Sequence, residues 1–247
     1  MAQYFAKDYM GGAFELWGKG HLIALAIITV ICILLPHFRN RWDEKEKRIF
    51  RYTVAILLTV DELSAHLWNV YWGTWNIQTM LPLHLCGVML WLSVYMLLAR
   101  NPVIYELVYF LGIGGATQAL ITPDASIYGF PHFRAFQTFI AHGLLVIVPI
   151  YMTVVEGYRP TLRSFKRIFI WTNIYMVFVF IINLTINSNY LFIHYKPEFP
   201  TIIDLLSPWP WYILELEVVG IAILSILYIP FLIKDWRANH HPTLSSY

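Results

Sequence analysis

The chain has 247 residues and a formal net charge of +2; 58% of its residues are hydrophobic and 13% are charged. A soluble domain carries about 25% charged residues, so the composition excludes an ordinary soluble globule, and the length suits one membrane domain with no second soluble one. No P-loop, dinucleotide fingerprint, His-Glu-x-x-His or Cys-x-x-Cys motif occurs, and nothing points to a nucleic-acid partner.

In chain order, residues 1–19 are too polar and too acidic for a secretory signal, and are expected to form an extracytoplasmic N-terminal segment. A helix needs roughly 20 mostly apolar residues to cross a bilayer. Seven stretches qualify: 20–36, 48–72, 81–99, 102–122, 134–156, 164–187 and 211–233. The predicted fold is all-α, a polytopic membrane bundle of seven transmembrane helices over 20–233, with a cytoplasmic tail at 234–247. The second stretch is the least apolar, because Asp61, Glu62 and His66 interrupt it, and the fourth carries Glu106 near its start. With the N-terminus outside, thirteen of the 17 Lys and Arg residues fall in inner segments. The positive-inside rule then favours an N-out, C-in multi-pass protein of the cell membrane.

Polar groups inside such spans are costly in lipid and mark candidate sites. Counting about 1.5 Å per residue places Glu62, His66, Gln118, Asn183 and Asn187 late in outward-running spans. His84, Cys86, Gln137, His142, Glu215 and Glu217 fall early in inward-running ones. Convergence from this many spans predicts a polar cavity near the outer face.

The two cysteines lie at different depths, too far apart for a disulfide. Cys32 has only apolar sequence neighbours and reads as a small buried hydrophobe. Cys86 belongs to the polar layer. Packing is the commoner role for a lone membrane cysteine, and a nucleophilic role requires a base, because the thiolate is the reactive form. His142 sits in the apolar run Phe139-Ile140-Ala141-His142-Gly143 and is the candidate base; Gly143 permits close approach of another helix or a ligand. His84 is two residues from Cys86, about 200° around a helix, and so off its face.

Glu62, His66 and Asn69 follow one stripe of the second helix, as an interhelical network or as part of a catalytic apparatus. Glu215 and Glu217 point about 200° apart, so one of them faces the cavity. Arg134 closes the 122–134 loop, as a lipid-phosphate ligand or an interfacial anchor. The Pro-rich aromatic stretch 199–212 reads as an interfacial lid.

The segments Leu81-Pro82-Leu83-His84-Leu85-Cys86, Thr122-Pro123-Asp124, Phe139-Ile140-Ala141-His142-Gly143 and Pro208-Trp209-Pro210-Trp211-Tyr212 resemble those of the YwaF-like bacterial integral membrane proteins. That family is grouped with eukaryotic transmembrane protein 164 and, more remotely, with androgen-induced-type membrane hydrolases, which use threonine in place of cysteine. The resemblance implies a cysteine-dependent phospholipid acyltransferase or transacylase, with Cys86 as acyl-carrying nucleophile and His142 as base. Phospholipid and lysophospholipid would be the substrates, with no cofactor and no metal. Glu62, His66, His84, Gln118, Asn183, Arg134 and Glu217 are the expected supporting and substrate-binding residues. The rival expectations are a metal-dependent lipid hydrolase with a His/carboxylate zinc site, and a transporter or sensor with a polar cavity. The oligomeric state is left open.

Overall fold

The computed structural model describes residues 2–123, 128–197 and 202–240. Asp124 of the Thr-Pro-Asp segment, residues 199–201 of the aromatic stretch and residues 241–247 of the tail lie outside the described residues.

Seven helical segments follow one another: α1 (Lys19–Leu34), α2 (Glu44–Tyr71), α3 (Leu85–Ala99), α4 (Pro102–Ile121), α5 (Phe133–Val154), α6 (Leu162–Ile186) and α7 (Trp211–His240). The described residues contain no strand. Several helix starts are set by local chemistry. Asp43 and Glu46 form a reciprocal capping box at α2, and Asn101 caps α4 just before Pro102, where proline loses nothing by lacking an N–H. Asn187 ends α6 in the left-handed conformation, with φ 53°, a conformation that asparagine tolerates. Its place in the polar layer is therefore a C-cap. A π turn at Val108–Gly112 interrupts α4.

Helix α1 together with the 3-10 turn that continues it to Phe38, and helices α4, α5, α6 and α7, are long and apolar enough to cross a membrane. The core lies among α2, α3, α4 and α5, around Leu58, Met89, Leu97, Phe110, Leu145 and Val148. More than half of the apolar windows of α4 and α5 is buried, against 11–17% for α1, α6 and α7. The outer faces of those three present Ile23, Ile33, Ile174, Val177, Val218 and Ile226 to the surroundings, as expected of a lipid-facing surface and not of a soluble one. Cys32 is free and packs at the edge of the core.

Three helices depart from the expected spans. Helix α7 runs on to His240, seven residues past the expected end and into the expected tail. Helix α2 starts at Glu44 and runs 28 residues, about 42 Å. Helix α3 starts at Leu85, four residues later than expected, and its 15 residues cover about 22 Å, short of the roughly 30 Å hydrocarbon core. The missing turn is satisfied from elsewhere. The Tyr190 hydroxyl accepts from the Leu81 N–H at 2.8 Å and donates to the Ile77 carbonyl at 2.7 Å. The Tyr175 hydroxyl donates to the Leu83 carbonyl at 2.9 Å, and the Leu191 N–H donates to His84 Nδ1 at 3.3 Å. With its polar groups held by α6 and the loop after it, the 81–84 segment has no need of a helical ladder. It folds back closely on α3: a Cβ at Gly87 would stand 3.1 Å from Pro82 Cα.

The opposite end of the bundle is tied by charge. Arg51 and Arg100 converge on Glu156, which also accepts from the Tyr151 hydroxyl. Arg167 grips both oxygens of Glu106, at 2.9 and 2.6 Å, which accounts for the carboxylate at the start of α4.

Candidate functional site

The broken start of α3 forms one wall of a cavity of about 240 Å³; α2 and α5 supply the others. Glu62, His66, Asn69, His84, Cys86, Arg134, Gln137 and His142 all line it. The Glu62–His66–Asn69 stripe of α2 therefore faces the two chemically interesting residues of α3 and α5.

Cys86 is the second residue of α3. Sequence counting places it about one and a half turns into a helix, but the late start moves it to the first turn. His84 is the N-cap, with φ −66° and ψ 152°, and no side chain caps the helix. The first α3 bond from this end runs from the Val88 N–H to the His84 carbonyl. The N–H groups of Leu85, Cys86 and Gly87 thus have no partner among the described residues, the usual state of a helix start. They concentrate partial positive charge at the end of α3 that carries the thiol. The sulfur lies beside Gly115 of α4, 3.6 Å from where a Cβ on that residue would be.

His84 is extended, so the separation of about 200° expected of two helical residues does not apply, and both His84 and Cys86 reach the cavity. The three cavity histidines are told apart by their hydrogen bonds. His142 Nδ1 lies 2.8 Å from the Thr138 carbonyl. A carbonyl only accepts, so Nδ1 carries the proton and Nε2 keeps its lone pair. His84 Nδ1 accepts from Leu191 N–H, which puts its proton on Nε2 and makes it a donor. His66 Nδ1 accepts from Trp75 Nε1 at 3.0 Å, and its Nε2 lies 3.4 Å from Glu62 Oε1. Of the three, only His142 has an unprotonated ring nitrogen that is not already accepting a hydrogen bond. No hydrogen bond joins its ring to the Cys86 sulfur; the two side chains share the cavity, a looseness common before substrate binds.

Asp61 and Glu62 part as helical geometry requires. Asp61 is buried and accepts from Gln137 Nε2 at 2.9 Å, while Gln137 Oε1 accepts from Arg134 Nη1 at 2.6 Å. Arg134 also sits 5.8 Å from the centre of the Trp68 ring. Its guanidinium is thus held at the cavity wall by a chain ending in a carboxylate.

Three expected supporting residues lie elsewhere. Gln118 is exposed and bonds Thr122 of its own helix. Asn183 is fully buried, but its amide holds Ser188 and Tyr190 just after α6. Glu217 does not line the cavity, and Glu215 accepts from Ser207. None of the three lines the cavity. Gly143 admits a neighbouring helix: a Cβ there would stand 2.9 Å from Ile28 of α1. Of the 199–212 stretch, Trp209 is anchored by its indole N–H to the Ile193 carbonyl, and Tyr212 by its hydroxyl to the Phe192 carbonyl. Among the described residues no three His, Cys, Asp or Glu side chains converge in a metal-binding group.

Residue-based reading missed the backbone donors of the first turn, the Thr138 carbonyl that sets the tautomer, and the two tyrosines that break α3. Pro82 and the polar His84 just ahead of Cys86 were the available signal for a helix start at that point.

Fold and cavity together define a polytopic α-helical membrane protein with a polar chamber opening at one end of its bundle. The chain belongs to the TMEM164 family, whose pattern it matches over residues 16–228. No curated protein and no solved structure shows significant similarity to it.

Proposed function

We propose that this protein is a membrane phospholipid acyltransferase or transacylase that works through a thioester on Cys86, with His142 as the base. The observation carrying this reading is the pairing of an uncapped helix start at Cys86 with a histidine whose only free nitrogen is a proton acceptor, both on one small cavity.

In the first half-reaction His142 Nε2 takes the Cys86 thiol proton and the sulfur attacks the carbonyl carbon of an acyl ester. The tetrahedral oxyanion accepts hydrogen bonds from first-turn N–H groups of α3 and from His84 Nε2–H, the kind of fixed donors that dominate such catalysis. The bond between the acyl carbonyl carbon and the glycerol oxygen then breaks, that oxygen takes the proton from His142, and lysophospholipid leaves with the acyl group held as a thioester. In the second half-reaction His142 deprotonates the hydroxyl of another lysophospholipid, which attacks the thioester; the C–S bond breaks and the thiol is restored. Arg134, steadied by Gln137 and Asp61, holds the lipid phosphate.

The cavity is smaller than the roughly 300–1,000 Å³ of pockets that hold a whole drug-sized ligand. The ester-bearing part of a lipid enters it and the acyl chains stay in the bilayer. The reading places this chamber at the outer face of the cell membrane, with the basic end inside, as the positive-inside rule requires.

The test is acyl exchange in nanodiscs between a phospholipid with isotope-labelled chains and an unlabelled lysophospholipid. Exchange is expected with the wild type, none with Cys86→Ala, and a loss of at least about 100-fold with His142→Ala. Wild-type exchange that survives in Cys86→Ala would overturn the assignment.

A further inference from the structure

A second cavity, of about 430 Å³, opens at the other, basic end of the bundle, between the end of α1, the ends of α5 and α7, and the π turn of α4. Its walls are apolar or internally satisfied. Ile150 and Phe231 face it, the Tyr109 hydroxyl is spent on the Leu227 carbonyl at 3.0 Å, and the Thr153 hydroxyl bonds the Pro149 carbonyl and the Tyr105 hydroxyl. The open polarity is cationic. Arg39, Arg159 and Lys234 line the groove. Arg159 is committed to Asp235, whereas Arg39 and Lys234 are exposed and make no ion pair among the described residues.

We propose that this groove binds an anionic phospholipid, its phosphate paired with Arg39 and Lys234 and its acyl chain laid against Tyr109, Ile150 and Phe231. Lys234 stands three residues beyond Phe231, about 4.5 Å along α7, so the cations sit just past the apolar walls, as headgroup follows chain in a lipid. A purely apolar guest would leave the two cations without purpose, and a free phosphate would gain nothing from the walls. This site is separate from the Cys86 cavity and does not depend on the chemistry proposed there.

The experiment is native mass spectrometry of the delipidated full-length protein in a Cys86→Ala background, titrated with phosphatidylglycerol or phosphatidylcholine of identical chains. Phosphatidylglycerol is expected to bind the parent more tightly. Arg39→Gln with Lys234→Gln should weaken it roughly 30-fold, at the usual gain of one membrane-proximal cation each, and weaken phosphatidylcholine, whose choline offsets the same phosphate charge, by much less. Ile150→Trp, which fills the groove, should weaken both lipids. Equal binding of the two lipids by the parent would overturn the proposal. So would an unchanged phosphatidylglycerol affinity in the double variant, or an equal loss in the control Arg163→Gln with Lys166→Gln. Displacement of the lipid by an equal concentration of inorganic phosphate would overturn it too, by showing that the walls do not contribute.

Discussion

Replacing Tyr190 with phenylalanine removes one buried hydroxyl and two hydrogen bonds, from the Leu81 N–H and to the Ile77 carbonyl. Each such bond contributes about 1 kcal/mol net, and more where the abandoned partner stays buried. Ile77 is exposed, so its carbonyl regains water, whereas Leu81 is half-buried. The expected cost is therefore about 1–2 kcal/mol, a fall in Tm of roughly 2–8 °C for a chain of this size. The consequence for the site is larger than the stability loss. Without that clamp the 81–84 segment shifts against α3, and the first turn that carries Cys86 loses its fixed geometry. Tyr175→Phe removes a single bond to Leu83 and should cost about half as much. The assay pairs thermal unfolding with the rate of Cys86 alkylation by a small maleimide at fixed pH. Tyr190→Phe should lower Tm and change the alkylation rate by at least about threefold, a shift of roughly 0.7 kcal/mol in the barrier. A lowered Tm with an unaltered rate would refute the claim that Tyr190 positions the helix start.

Three further outcomes follow from other parts of the structure. Gly115→Val should block alkylation and acyl exchange at Cys86 while Gly115→Ala reduces them, because the new side chain meets Leu85 at 3.3 Å and the sulfur at 3.6 Å; normal alkylation in Gly115→Val would contradict the placement of the thiol. Glu156→Gln should cost about 3 kcal/mol, since it strands the buried Arg51 charge, while Arg100 is open to water and keeps Glu44 nearby; an unchanged melting temperature would show that the basic end is not held by this carboxylate. The third concerns pH. Burial pushes the His132 imidazole below its ordinary value, and its neutral form accepts from the Arg134 N–H and donates to the Ala6 carbonyl of the N-terminal segment. A depressed histidine contributes stability that is complete above the unfolded value of about 6.5 and declines as pH falls below it. The protection factors for hydrogen exchange around Phe5 and Ala6, corrected for the intrinsic pH dependence of exchange, should fall on acidification through that range in the wild type but not in His132→Gln; equal behaviour of the two would refute the link.

The helical spans were legible because hydropathy over about 20 residues is a one-dimensional signal. The start of α3 was not. Leu81, Leu83 and Leu85 read as continuous apolar helix, and the groups that make Leu81 and Leu83 a turn belong to Tyr175 and Tyr190, roughly a hundred residues away. Counting residues along the spans says nothing of the direction each side chain takes around the bundle. Cys86, His142, Glu62, His66, His84 and Arg134 meet on one cavity. Asn183 turns to the loop after its own helix, and Gln118 turns back to Thr122. The tautomer that leaves His142 Nε2 free rests on the Thr138 carbonyl, a backbone partner that residue identities do not reveal.

The central claim is a covalent acyl group on Cys86, and intact-protein mass spectrometry after incubation with phospholipid tests it most directly. The account predicts an added mass of one acyl chain on the wild type, removed by hydroxylamine, absent in Cys86→Ala and strongly reduced in His142→Ala. Acyl exchange proceeding in the wild type with no acyl adduct on Cys86, even in rapidly quenched samples without acceptor, would contradict it.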